Sequence, residues 1–220
     1  MRGLACLFCL MAALTGRAAD DWQTAFARMP LKGNVNELNT SNYAGALLGA
    51  FASNGAVKAL ILMPGAVDTF FWHRETRVIL TNTTPSLLDA VVALTNQTRI
   101  RATYEPPFLL LRFDWDPVQP LCEVKDGAAI ENLRQRLIAY SAVFADKDWD
   151  FTLAGLKKAA GMTILPKVHS RYSYHFYRST FAATDLSAWE AVEAISLSTR
   201  TKISVEKRRI IFKEDARTNE

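Results

Sequence analysis

Few side chains in this sequence suit acid–base, nucleophilic or metal chemistry: His73, His169 and His175, with Cys122 and the early pair Cys6 and Cys9. A nucleophilic site needs a serine or cysteine activated by a histidine that is itself oriented by an acid. No G-x-S-x-G elbow, no H-E-x-x-H helix and no glycine-rich phosphate loop occurs, and Cys122 has no local histidine. The motif Asp-Trp-Asp stands at 114–116 and again at 148–150. Alternate carboxylates on one strand face can share a cation, but two aspartates do not fill a coordination shell, so these read as turn and cap residues beside a buried tryptophan. The sequence assigns no catalytic residue, no metal and no cofactor.

His73 and His175 share a different setting. Each lies in an aromatic, β-favouring run, "DTFFWHRETRVILTN" and "RYSYHFYRSTFAAT", where a histidine is a strand residue stacked among rings before it is a ligand or base. In the second run alternation puts Tyr172, Tyr174 and Phe176 on one side and Ser173, His175 and Tyr177 on the other. One face can pack on helices while the other stays available. Trp72, His73, Tyr172, Tyr174, His175 and Tyr177 are therefore the candidate binding residues.

The elements that would position them recur. A shift of 101 residues sets Asp89 on Glu190, Ala90 on Ala191, Val91 on Val192, Ala93 on Ala194 and Thr98-Arg99 on Thr199-Arg200, then the apolar runs Leu109–Leu111 on Ile210–Phe212. Leu88, Val91, Val92 and Thr95 fall at helical spacing, as do Trp189, Val192 and Ile195, so each helix is expected to bury one stripe. Ser86 and Ser187, or their neighbours Thr84 and Asp185, can cap the first turns. Ile203 and Val205 alternate with polar residues as in a half-buried strand, and "EKRR" turns back into "IIF". Upstream of each aromatic run stand a helix and a strand closed by Pro64 or Pro166: a helix over Asn42–Ser53, a turn at Asn54-Gly55 and a strand over Val57–Met63 in the first copy, "WDFTLAGLKKAAGMTILP" in the second. Residues 140–148 supply a leading strand for the second copy. The expected fold is α+β: two tandem small (β)αββαββ domains, with mixed sheets packed on helices, after a signal peptide.

That leader is residues 1–19, with basic Arg2, an apolar run from Leu4 to Leu14 and small residues before the cut. The run is shorter than the roughly 20 residues a membrane span needs. Cys6 and Cys9 leave with it, so Cys122 has no intramolecular disulfide partner. Formal charge is 26 minus 22, or +4, and loss of Arg2 and Arg17 leaves +2. That is too little to argue for nucleic acid. After cleavage no integral span is expected.

The order of elements brings a resemblance. "LAGLKKAAGMTILPKV" and "DLSAWEAVEAISLSTRTKISVEKRRIIF" are similar to the helix–strand–proline turn and the second helix with closing hairpin of the short N-terminal domain shared by secretins and TonB-dependent signal transducers. Residues 140–214 carry it, and residues 33–114 look like a more divergent copy. Residues 115–139 join them, with a helix expected from Ala128 to Leu137. The expectation is of the adaptor part alone, without the β-rich region of a secretin pore or transporter barrel. The resemblance implies an exported, periplasmic or extracellular, non-catalytic module that binds an envelope protein, such as a secretin or a TonB-linked system, or a small ligand. The competing expectation is a small secreted hydrolase or metal-dependent enzyme, with His73 and His175 meeting in a site between the repeats.

Overall fold

The computed structural model describes residues 22–31, 37–38, 47–51, 57–62, 78–113, 122–124, 127–136, 139–147, 149–167, 179–206 and 208–214. The leader, residues 42–46 and 52–53 of the expected first helix, and the aromatic runs up to 77 and 178 lie outside them.

The strands are β1 (Glu37–Leu38), β2 (Ala59–Leu62), β3 (Val78–Ile79), β4 (Ile100–Glu105), β5 (Phe108–Phe113), β6 (Cys122–Val124), β7 (Tyr140–Lys147), β8 (Thr163–Lys167), β9 (Ser179–Leu186), β10 (Thr201–Glu206) and β11 (Arg209–Glu214). The helices are α1 (Leu87–Gln97), α2 (Gly127–Gln135), α3 (Trp149–Ala160) and α4 (Ala188–Thr199), with short helical stretches at 22–27 and 47–50. The fold is mixed α+β, with mixed sheets packed on helices.

The two halves pair their strands alike. The hairpin β4–β5 takes β2 as a parallel neighbour, and the hairpin β10–β11 takes β8 as a parallel neighbour. β7 runs antiparallel to β9. In the first half Pro30 bridges Ser86, Glu37 pairs with Ile79 and Leu38 with Val78, all antiparallel. Among the described residues a helix precedes β1 in one half, at 22–27, and β7 in the other, α2.

Tandem beads do not describe the result. β2 also pairs antiparallel with β9, so strands of both halves form one five-stranded sheet in the order β4-β5-β2-β9-β7. Its two faces feed two cores. Leu60, Leu62, Leu109, Leu111 and Ala182 face α1, Leu47 and Leu48, and Phe26. Ala59, Ile61, Phe108, Leu110, Phe181 and Ala183 face α2, α3 and α4. A strand covered on both faces needs apolar residues at every position, not every second one, which accounts for "ALIL" in β2, all four residues without exposure. The second half closes with the four-stranded sheet β6-β10-β11-β8. β6, three residues of the expected linker, lies parallel to β10, and α2 buries Ile130 and Leu133 in the second core. The segment between the halves is therefore built into the second one.

Both main helices start with a reciprocal capping box. Ser86 and Ser187 are the caps, not Thr84 or Asp185: the Asp89 and Glu190 amides donate to the serine hydroxyls, and the serine amides donate back to the carboxylates at 2.8 and 2.7 Å. The buried stripe of α1 is Leu87, Ala90, Val91 and Leu94. This corrects the stripe expected from Leu88, Val91, Val92 and Thr95, because Val92 is exposed and Leu88 only half-buried; adjacent apolar pairs left the helix phase ambiguous. α4 buries ten of its twelve residues, because sheets lie on both sides of it and α2 and α3 flank it. Its buried hydroxyls are satisfied by backbone: Thr199 Oγ1 and Ser198 Oγ donate to Ile195 O at 2.7 and 3.0 Å, and Ser196 Oγ to Thr201 O at 2.6 Å.

Candidate interaction surface

Trp72, His73, Tyr172, Tyr174, His175 and Tyr177 all lie outside the described residues, as do His169, Asp114, Asp116 and Asp148. Asp150 sits exposed in the first turn of α3, where a carboxylate complements the helix dipole. Among the described residues no group of three or more His, Cys, Asp or Glu side chains could hold a metal ion. No helix there is long and apolar enough to cross a membrane.

What the described residues do offer is an edge. β7 is an outer strand of the five-stranded sheet. Val143 pairs with Ala182 and points to the face that the first half covers further in, yet it stays 62% exposed. On the opposite face Phe151, from the first turn of α3, is 63% exposed. Its ring stands edge-on to Phe144 at 6.0 Å, and Phe144 stands edge-on to Phe181 at 5.0 Å. Phe144 is buried and Phe181 fully so. An exposed phenyl ring held on a buried aromatic pair presents apolar area at little cost in side-chain freedom. Between these two exposed side chains runs the outer side of β7, which has no strand neighbour among the described residues. Sequence patterning missed Phe151 because it falls inside the amphipathic run of α3; its place on the polar side, next to Asp150, was the available signal.

A second feature is a cleft of about 360 Å³ between α2, the end of α3 and the β10–β11 turn, lined in part by Asn132, Arg136, Gly161, Met162 and Arg208. Arg136 Nη1 donates to Ala160 O at 2.5 Å, closing the last turn of α3. Gly161 follows with φ +61°, the left-handed position that ends many helices, and its amide donates to Lys157 O. One of the two guanidinium groups is thus already engaged in capping a helix.

The halves are tied by Lys58. Its ammonium lies 3.1 and 3.2 Å from the two Glu190 oxygens, its carbonyl accepts from Thr184 N at 2.9 Å, and its amide donates to Pro107 O at 2.9 Å. One residue of the first half therefore meets the cap of α4, the strand β9 and its own hairpin turn. Deeper on α4, burial raises the Glu193 carboxyl above its ordinary value. The nearby Trp189 indole N–H, itself buried without a hydrogen bond of good geometry, and the Arg134 charge offset part of that rise. Burial likewise pushes the Tyr140 phenol up to about 12, its hydroxyl packed 3.7 Å from where a Cβ on Gly155 would stand. A phenol raised that far is not poised for proton transfer near neutral pH. Comparison with known proteins returns nothing: no family model, no curated protein and no solved structure matches the chain.

Proposed function

We propose that the chain is an exported, non-catalytic interaction module of the cell envelope, built of two copies of the short secretin/TonB-type N-terminal domain, and that it binds a protein partner along the outer edge of β7. The observation that carries this reading is the edge itself: a strand with no outer neighbour among the described residues, flanked above and below by exposed Val143 and Phe151. Strand addition takes affinity from main-chain hydrogen bonds and specificity from side-chain contacts on alternate faces, and this edge offers an apolar side chain on each face. The like pairing of β2-β5-β4 and β8-β11-β10 supports the two-copy part of the reading. A small ligand is the other occupant that such a module could take, and the α2–α3 cleft is the place for it.

The test is affinity capture from the protein's own envelope extract under mild crosslinking, with the mature chain and with the double variant Val143→Asp, Phe151→Ser as paired baits. A protein retained by the first and lost with the second, both baits giving the same circular dichroism, is the expected result. Equal retention by both baits, or none by either, would remove the β7 edge from the proposal.

A further inference from the structure

The join between the halves is a head-to-tail contact: the outer edge of β2, from the hairpin sheet of one half, lies on the outer edge of β9, from the two-stranded unit of the other. Strand register identifies where the same two edges recur. Ala59 pairs with Phe108 and Thr163 with Arg209, and Phe108 and Arg209 stand 101 residues apart, so Leu60 in β2 corresponds to Ile164 in β8. Likewise Ser86 and Ser187 correspond as caps, so Thr180 and Ala182 of β9 correspond to Ile79 and Thr81. The molecule therefore ends in a donor-type edge, β8, and an acceptor-type edge, β3 with the residues after it. Among the described residues neither has a strand neighbour on its outer side.

The acceptor edge is nonetheless occupied. The Gln97 side chain, from the last turn of α1, lies where a neighbouring strand would. Ile79 N donates to Gln97 Oε1 at 2.9 Å and Gln97 Nε2 donates to Ile79 O at 2.8 Å, the two-bond exchange of a strand pair made by one amide group. Both bonds are exposed, so water can replace them at small cost. The Ile79 side chain is 56% exposed beside them. On the donor side Ile164 and Leu165 are half-buried, whereas their counterparts Leu60 and Ile61 are fully covered. In register, the place facing Ile79 falls to Pro166, which has no N–H to give. The Lys58–Glu190 ion pair has no equivalent either, since Met162 and Asp89 stand in those places.

We propose that the outer edge of Ile79–Thr81 is a second strand-accepting edge, fitted by β8 of another copy of this chain, and that the Gln97 side chain closes it in the monomer. The contact repeats the internal join, so it is heterologous and builds rings or open chains, not two-fold dimers. Lacking the ion pair and one donor, it is weaker than the internal one and depends on concentration.

The test is light scattering coupled to size exclusion over a concentration series of the full mature chain. Gln97→Ala is expected to associate at about tenfold lower concentration than the native chain, the competition of two exposed hydrogen bonds being gone. Adding Ile164→Pro, which removes an outward-facing amide from β8, returns it to a monomer. A Gln97→Ala chain that stays monomeric throughout the series overturns the proposal, and so does an oligomer that survives Ile164→Pro. If Gln97→Ala does not fold, Gln97→Glu keeps the size, abolishes donation to Ile79 O, and carries the same expectations.

Discussion

Strands β2 and β8 hold the same place in the two halves, each parallel to the second strand of a hairpin, yet they have opposite surroundings. β2 lies inside a sheet with helices on both faces, and none of its four side chains is exposed. β8 ends a sheet, carries Pro166, and has no fully buried side chain. The helices follow suit: α4, between two sheets, is buried nearly all round, while α1 buries one stripe. Matching sequences therefore acquire different burial from their place in the stack, and the apolar content of "ALIL" against "TILPK" records that place.

The sharpest way to break the equivalence is at Trp189 and Leu88, which correspond along the two helices. Trp189 is 4% exposed in the second core. Trp189→Ala is expected to lower unfolding free energy by roughly 3–5 kcal/mol in a urea melt, and Leu88→Ala, at a half-buried site, by about 1–2 kcal/mol. Equal losses would show that position along the helix, not layer, sets the cost. Next comes the strand pair. Leu60→Ala removes a side chain packed in the first core from the strand that joins both halves, at a cost of about 2–4 kcal/mol, against about 1 kcal/mol for Ile164→Ala. A native chain that melts as one transition and a Leu60→Ala chain that melts as two would identify β2 as the element that couples the halves.

Much of this was legible in the sequence. Helices α1 and α4 announced themselves by their caps and apolar spacing, the β10–β11 hairpin by alternation around "EKRR", and α2 and β2 by punctuation at their ends. The phase of α1 was not legible, because Leu87-Leu88 and Val91-Val92 allow two stripes and only the sheet beneath selects one. β6 escaped notice since three residues hold no periodicity, and its pairing is fixed by β10 across some eighty positions of chain. The common sheet could have been suspected from the unbroken apolar run of β2, which calls for cover on both faces. As for the surface, the aromatic runs directed attention to residues outside the described set, while Phe151 and Val143 became visible only once β7 was found at an edge.

A smaller contrast lies in the caps. Ser187 is buried and Ser86 half-buried, and each closes a capping box with the carboxylate three residues on. Ser187→Ala is expected to cost about 2 kcal/mol and Ser86→Ala about 1 kcal/mol, the excess arising because water reaches the amides left behind at Ser86 more readily. A double-mutant cycle of Ser187→Ala with Lys58→Met would show whether the ion pair to Glu190 is coupled to its cap.

The smallest effects concern pH, and here the two helices oppose one another. The Asp89 carboxyl is held below its ordinary 3.8, first by the Ser86 amide and then by the Ser86 hydroxyl. Its folded form binds protons less readily than its unfolded form, so it adds stability above the unfolded value and loses it as the pH falls through the lowered one. Glu193 on α4 is raised above 4.5 by burial. The folded chain holds that proton longer than the unfolded chain, so stability drops as the pH climbs from 4.5 through the raised value. Glu193→Gln should therefore stabilise the protein at neutral pH, with the advantage fading as the pH is lowered toward 4.5. Asp89→Asn should do the reverse, destabilising at neutral pH with no difference left in strong acid. Urea melts of the two variants across a pH series should diverge from the native curve with opposite sign. Two divergences of the same sign would mean that the carboxylate of Glu193 is stabilised by Arg134 and the Trp189 N–H more than burial disfavours it.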